Sequence, residues 1–390
     1  MKPIIDLSKE YGLVLEGGGA KGAYQIGAWK ALKEAGVKIK GVAGTSVGAL
    51  NGALICMDDI DKAEELWKNI SYSKVMDVDD KQMAMLFGEE EMQADLLRET
   101  LRDVFKMLGD GGADITPLRR LITENIDEEK IRSSALDFYS CTYSITDRKE
   151  MNVDMKAVPK GQMIDMLLAS SYLPVFKNQR LHGKKYMDGG LTNVLPVNAL
   201  LERGYQDLIL LRIYGMGHEK KVIIPEEVQV IEIAPRIQLG NMLRFDSTKS
   251  KRNMRAGYFD TLRSIYGLEG SIYYIEQNHE ECYYLNQFME IDPEVQKELL
   301  RAYELQEEGR ELRNYLEILL PLWAGELKLN KDWNYQKLYL SMLEAAAKLL
   351  RVPKYRIYTV EELLGAVRQK GMERGLMETM PEFVHVILNQ

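Results

Sequence analysis

The 390-residue sequence predicts an α/β protein with a mainly parallel central sheet, continued by a helical C-terminal region. Three observations carry that reading. Over the first hundred or so residues, short apolar runs alternate with amphipathic stretches, the pattern of strand and helix units in a parallel sheet. Later apolar runs are rich in Ile, Leu and Val, as strands buried on both faces require. Beyond about residue 268 the strand pattern stops and long helical periodicities take over, so a core over 1–268 and a helical region over 269–390 are expected.

In chain order, Gly12 to Glu16 reads as the first strand. Ala23 to Ala35 follows as a helix, because Ile26, Trp29 and Leu32 recur on one face and Gly36 supplies a C-terminal cap. Val37 to Ala43 is a second strand, with further strands at Leu136 to Ile145, Asp207 to Tyr214 and Val228 to Ile233. Helices fit between them at 161–170 and 197–203. Residues 76–116 differ: a Met-rich opening, the run Glu89-Glu90-Glu91 and Gly109-Asp110-Gly111-Gly112 mark a lid or an insertion. In the C-terminal region Pro293 to Leu319 and Leu338 to Leu350 read as long helices.

Composition narrows the function classes. Hydrophobic residues at 46% and charged residues at 28% are those of a folded globular chain. A net charge of −8 argues against nucleic acid as a partner. Residues 269–390 carry 14 Lys and Arg against 21 Asp and Glu, a net of −7, leaving −1 for residues 1–268. The same region holds ten of the 21 tyrosines, which suit a packed helix bundle or an interfacial surface; the bundle is the favoured expectation, with Tyr283 and Tyr284 exposed. Cys56, Cys141 and Cys282 suggest neither a disulfide framework nor a Cys-based zinc site. No metal and no cofactor are expected. The N-terminal MKPIIDLSKEYG is interrupted by charge where a signal peptide would be apolar, so a reducing, cytoplasmic setting is the expectation. The longest uncharged stretch, Gly41 to Met57, is too short for a membrane span, which leaves peripheral contact as the only membrane association expected.

The strongest chemical signal is Gly44-Thr45-Ser46-Val47-Gly48, between a strand and the small-residue helix start Ala49-Leu50-Asn51-Gly52-Ala53. A nucleophile elbow needs this context: the serine sits on a tight strand-to-helix turn, and the glycines let neighbouring backbone pack close. Gly17-Gly18-Gly19-Ala20-Lys21-Gly22 follows the first strand and opens the first helix. It fits G-x-G-x-x-G, but a dinucleotide site wants an acid about 20 residues on, where the chain reads Lys38-Ile39-Lys40-Gly41-Val42. A P-loop wants Lys-Ser or Lys-Thr after its last glycine, and Gly22 is followed by Ala23. What the nucleotide loops share survives: consecutive amides at a helix start, assisted by Lys21, make a nest for negative charge. Beside a serine nucleophile that nest is an oxyanion hole.

A serine nucleophile needs a base. The four histidines, His182, His218, His279 and His385, lie in no convincing motif. Asp188-Gly189-Gly190 is the better candidate, because paired glycines allow close approach to another loop. The second Asp-Gly-Gly, at Asp110, follows an amphipathic helix and reads as a helix-terminating turn.

The order GGGAKG, GTSVG, ASSYLP at Ala169 to Pro174 and DGGLTNVLPV at Asp188 to Val197 resembles the patatin-like phospholipase family, over about 180 residues from Gly17 to Val197. The resemblance implies a three-layer α/β/α core and a Ser-Asp dyad, with Ser46 the nucleophile and Asp188 its partner. It implies an oxyanion hole at Gly17, Gly18 and Gly19; Lys21 stands where the family has Arg or Lys, and Gly190 conforms to its aspartate motif. The expected activity is hydrolysis of lipid or fatty-acyl esters through an acyl-enzyme, of phospholipase A or lysophospholipase type. Two alternatives stand beside it: a scaffold or regulatory protein with a vestigial core, and a nucleotide-binding oxidoreductase using GGGAKG.

Overall fold

The computed structural model describes residues 1–87, 112–174, 176–177, 179–374 and 381–389. Most of the expected lid or insertion at 76–116, including Asp110 and Gly111, lies outside the described residues. The chain divides into two compact units, residues 3–265 and residues 266–390 with 1–2.

The first unit is built on a sheet of strands β1 (Glu10–Leu15), β2 (Lys38–Thr45), β3 (Asp137–Ser144), β4 (Lys149–Asp154), β5 (Tyr186–Asp188), β6 (Asp207–Leu211) and β7 (Gln229–Ile233). Its order is β4-β3-β2-β1-β6-β7, with β5 also on β3. The pairs among β3, β2, β1, β6 and β7 are parallel, whereas β4 and β5 run antiparallel to β3. One face presents Val14, Ala43, Tyr139, Leu208 and Leu210 to Val194, Leu195, Val197, Leu200 and Tyr205. The other meets helix α2 (Val47–Cys56), where a Cβ on Gly52 would lie 2.8 Å from the Phe138 ring. Helix α1 (Ala23–Glu34) packs backbone to backbone on the helix Ser247–Tyr266. A Cβ on Gly27 would stand 1.8 Å from the Met254 carbonyl oxygen, which is why a larger residue cannot sit there. Helices thus flank both faces of a mainly parallel sheet.

The expected strands are present, with differences at their ends. β4 was not anticipated: KEMNVD is a partly exposed edge strand with little apolar content. β5 has only three residues, too few for a periodicity. β6 stops at Leu211, short of the expected Tyr214, because the amides of Ile213, Tyr214 and Gly215 turn to the Glu16 carboxylate.

The second unit has its own core around the helix Tyr335–Leu349, which buries Leu338, Tyr339, Met342, Leu343, Ala346 and Ala347. The Asn334 side chain caps that helix by accepting from the Lys337 amide at 2.9 Å. The single helix expected over Pro293 to Leu319 is broken: Pro293–Ala302 ends before Glu304 and Gly309, both at positive φ, and helix resumes at Glu311. Tyr284, expected at the surface, is 1% exposed, and half-buried Tyr283 stacks on His279 with ring centroids 3.5 Å apart. Among the described residues no helix is long and apolar enough to cross a membrane.

Candidate active site

Three chain segments converge at the C-terminal end of the parallel strands. The first is the turn from β2 into α2. Ser46 stands there at φ 55° and ψ −123°, a conformation L-residues avoid. The surroundings enforce it. A Cβ at Gly44 would lie 2.3 Å from the Gly48 carbonyl, and one at Gly48 would lie 2.3 Å from the Leu15 carbonyl oxygen. Thr45 Oγ1 donates to the Asn193 carbonyl at 2.8 Å, and the Ser46 amide donates to Ser170 Oγ at 2.9 Å. Ser170 in turn donates to the Cys141 carbonyl at 2.5 Å.

The second segment carries Asp188. Register brings it close: Thr45 pairs with Cys141 on β3, and Asp188 pairs with the next residue, Thr142. Its amide donates to the Tyr172 carbonyl at 2.9 Å, and its Oδ1 accepts from the Gly190 amide at 2.8 Å. Gly189 lies against the Cys141 carbonyl, 2.4 Å from where its Cβ would be. Asp188 Oδ2 is buried with no hydrogen-bond partner among the described residues, and the Ser46 hydroxyl is near enough to lower the carboxyl pKa. Burial raises the Asp188 pKa to about 6, against the opposing pull of the Ser46 hydroxyl and the Gly190 amide.

The third segment is the glycine run. Gly19 has φ 55°, and a Cβ there would be 2.3 Å from the Met242 carbonyl oxygen. The Gly17 amide is spent on the Val194 carbonyl at 2.9 Å, so Gly17 supplies no free donor. Among the described residues no acceptor takes the amide of Gly18 or Gly19. Lys21 Nζ donates to the Tyr214 carbonyl at 2.6 Å, and its amide to the Gly18 carbonyl at 3.2 Å, so both brace the loop. Gly22 packs beneath the elbow against Val47.

A fourth segment, which the sequence did not single out, locks the others together. Glu16 is 2% exposed, and its carboxylate accepts the amides of Ile213, Tyr214 and Gly215 at 2.6, 3.0 and 3.2 Å. Burial raises its pKa, while those amides and nearby Arg212 oppose the rise. Gly215 packs on Gly17, and His218 exchanges backbone hydrogen bonds with Gly190 and Val194 at 2.8 and 2.7 Å. The loop after β6 therefore touches both the glycine run and the aspartate loop. Its signal was visible: a charged residue closing an apolar strand, and Gly215-Met216-Gly217 after another. Of the histidines, His182 pairs with Asp165 at 2.6 Å and His279 with Glu361, while His218 meets the aspartate loop through its backbone. Among the described residues no cluster of three or more His, Cys, Asp or Glu could hold a metal.

Ser46 lines a pocket beside the elbow. Its walls are apolar: Leu50, Leu54, Leu118, Ile122, Phe176 and Phe245 are typical of the lining.

A sequence model described as patatin-like phospholipase matches residues 13–201, which contain the elbow, the glycine run and Asp188. These residues belong to the patatin-like phospholipase family. Similar curated proteins include a neuropathy target esterase from Drosophila grimshawi, 39% identical over 195 residues, covering 47% of this chain and 11% of that one. The lysophospholipase nte1 of Aspergillus terreus is 56% identical over 50 residues, 13% of this chain and 3% of that one. The chain thus spans a small fraction of these relatives. Among solved structures, VipD from Legionella pneumophila aligns at TM-score 0.40 and 14% identity, covering 97% of this chain and 90% of that one. ExoU of Pseudomonas aeruginosa, solved with SpcU, aligns at 0.32 and 14%, covering 97% and 76%.

Proposed function

We propose that this patatin-like phospholipase domain makes the chain a serine acyl hydrolase for lipid esters, of phospholipase A or lysophospholipase type, with Ser46 and Asp188 as its dyad. The observation that carries the reading is Ser46, held at φ 55° beside a buried carboxylate, at the wall of an apolar pocket. Its apolar walls favour an acyl chain, since each buried methylene contributes about 0.8 kcal/mol.

Asp188 accepts the Ser46 proton as Oγ attacks the ester carbonyl. The amides of Gly18 and Gly19 receive the developing oxyanion; one such donor is worth about 3 kcal/mol of barrier. The C–O bond to the alcohol breaks, the alcohol takes the proton from Asp188, and an acyl-enzyme remains. Water then attacks by the same route, giving up a proton to Asp188 that returns to Ser46 as the fatty acid leaves. An unperturbed carboxylate is a weak base; burial brings Asp188 closer to the working pH.

The nucleotide reading is disfavoured. The acid that a ribose would need about 20 residues after the glycines is missing, since the chain there reads Lys38-Ile39-Lys40-Gly41-Val42. The scaffold reading is answered by experiment. A fluorophosphonate should label the wild-type chain, and Ser46→Ala should abolish both labelling and ester turnover, by at least about 1,000-fold, without loss of fold. Retained turnover in a pure Ser46→Ala preparation would sink the serine mechanism; an unlabelled, inactive wild type would favour the scaffold.

A further inference from the structure

The segment Ser170-Ser171-Tyr172 holds both members of the dyad. Its outer residues do so visibly: Ser170 Oγ accepts the Ser46 amide at 2.9 Å, and the Tyr172 carbonyl accepts the Asp188 amide at 2.9 Å. Ser171 lies between them. It is 5% exposed and lines the pocket that Ser46 lines. Its backbone is fixed, with the amide donating to the Leu168 carbonyl at 3.0 Å and the carbonyl accepting from Leu173 at 2.9 Å. Yet its hydroxyl has no protein hydrogen-bond partner among the described residues.

The other polar side chains of the lining are occupied. Asn51 Nδ2 donates to the Gly22 carbonyl and to Gln25, and its Oδ1 accepts from Trp67 at 3.0 Å. Asn125 Nδ2 donates to the Leu121 carbonyl at 2.8 Å. A buried hydroxyl without a partner weakens a fold, so such groups call for a functional account. Here a bound substrate can provide the partner.

We propose that Ser171 Oγ hydrogen-bonds the oxygen exchanged in the two half-reactions: the alkoxy oxygen of the ester, then the water that takes its place. The proposal rests on the Ser46–Asp188 reading above. Both oxygens occupy one position, since water attacks the acyl carbon from where the alcohol left. A hydroxyl suits both. It donates to the alkoxide as the C–O bond breaks, while the proton that neutralises the alcohol comes from Asp188. In deacylation it accepts one hydrogen bond from the water, whose other proton passes to Asp188. Ser171 keeps its own proton throughout, so the proton balance of the dyad is unchanged.

The test is pre-steady-state hydrolysis of a p-nitrophenyl ester by the full chain. p-Nitrophenolate leaves without assistance, so acylation hardly needs Ser171 whereas deacylation does. For Ser171→Ala, the account expects fluorophosphonate labelling and burst rate within about two-fold of wild type. Steady-state turnover should fall about 3- to 10-fold, the size of one lost hydrogen bond between neutral partners, with Tm equal or higher. Ser171→Thr, which keeps the hydroxyl, should recover most of the turnover. Unchanged turnover in Ser171→Ala, or burst and turnover falling together with a lowered Tm, would overturn the proposal. Wild type that fluorophosphonate does not label would instead overturn the Ser46 reading on which it rests.

Discussion

Ser46 occupies a backbone region that costs about 1–3 kcal/mol for a residue with a Cβ, and the glycines around it leave its hydroxyl projecting. Asp188 bears a second local cost, because burial opposes its ionisation. Two predictions follow from that shift. The proton acceptor must be ionised, so kcat/KM should fall about tenfold per pH unit below about 6 and level off above it; a flat profile down to pH 5 would remove Asp188 as the base. The second concerns stability. The unfolded chain releases this proton near 3.8 and the folded chain near 6, so the native state binds the extra proton between them, and stability falls as pH rises through that window. The full penalty, at most about 3 kcal/mol, is present above pH 6. Asp188→Asn should therefore lose activity yet be more stable than wild type in denaturant melts at pH 8, with the gain vanishing near pH 4. A less stable variant at pH 8 would show that the carboxylate supports the fold. Ser46 and Asp188 were legible because each sits in a glycine-flanked pattern whose chemistry is local. The roles of Ser170, although it lies within ASSYLP, and of Glu16 were not, since their partners lie 124 and about 197 positions away.

Strand register converts these separate patterns into a site. β3 lies between β2 and β5, so the residue after Thr45 and the residue opposite Thr142 end up as neighbours. The elbow depends on direct backbone contact, which makes Gly48 a test of the element. Gly48→Ala places a methyl 2.3 Å from the Leu15 carbonyl oxygen and should destabilise the chain by about 2–3 kcal/mol, with activity lost in proportion to the displaced turn. Thermal melts measure it, and a neutral effect would mean the elbow can open without cost. At this scale the sequence showed strands with continuous apolar runs and helices with clear caps. It did not show β4 and β5, one a polar edge strand and the other three residues long. The loop after β6 was read as strand because Arg212, Ile213 and Tyr214 carry the residue types of one; the Glu16 carboxylate, distant in sequence, takes their amides away.

The whole chain is a unit of residues 3–265, whose residues 13–201 match the patatin-like phospholipase model, and a second compact unit with its own buried core, in which Glu344 accepts the amides of Ser271, Ile272 and Tyr273 at 2.8, 2.8 and 2.7 Å. The α/β class and the change to helix near residue 268 were readable because hydrophobic periodicity is a property of long segments. Which tyrosines lie inside the helical unit was not, since Tyr283 and Tyr284 are adjacent and only tertiary packing separates them. The central claim, that Ser46 carries the acyl group of a lipid ester, meets its most direct test in acid-quenched turnover of a long-chain lysophospholipid, followed by mass analysis of the intact chain and its peptides. The account predicts one added acyl mass on the peptide holding Ser46, absent in Ser46→Ala. Steady turnover with no adduct, or an adduct on another residue that survives Ser46→Ala, would contradict it.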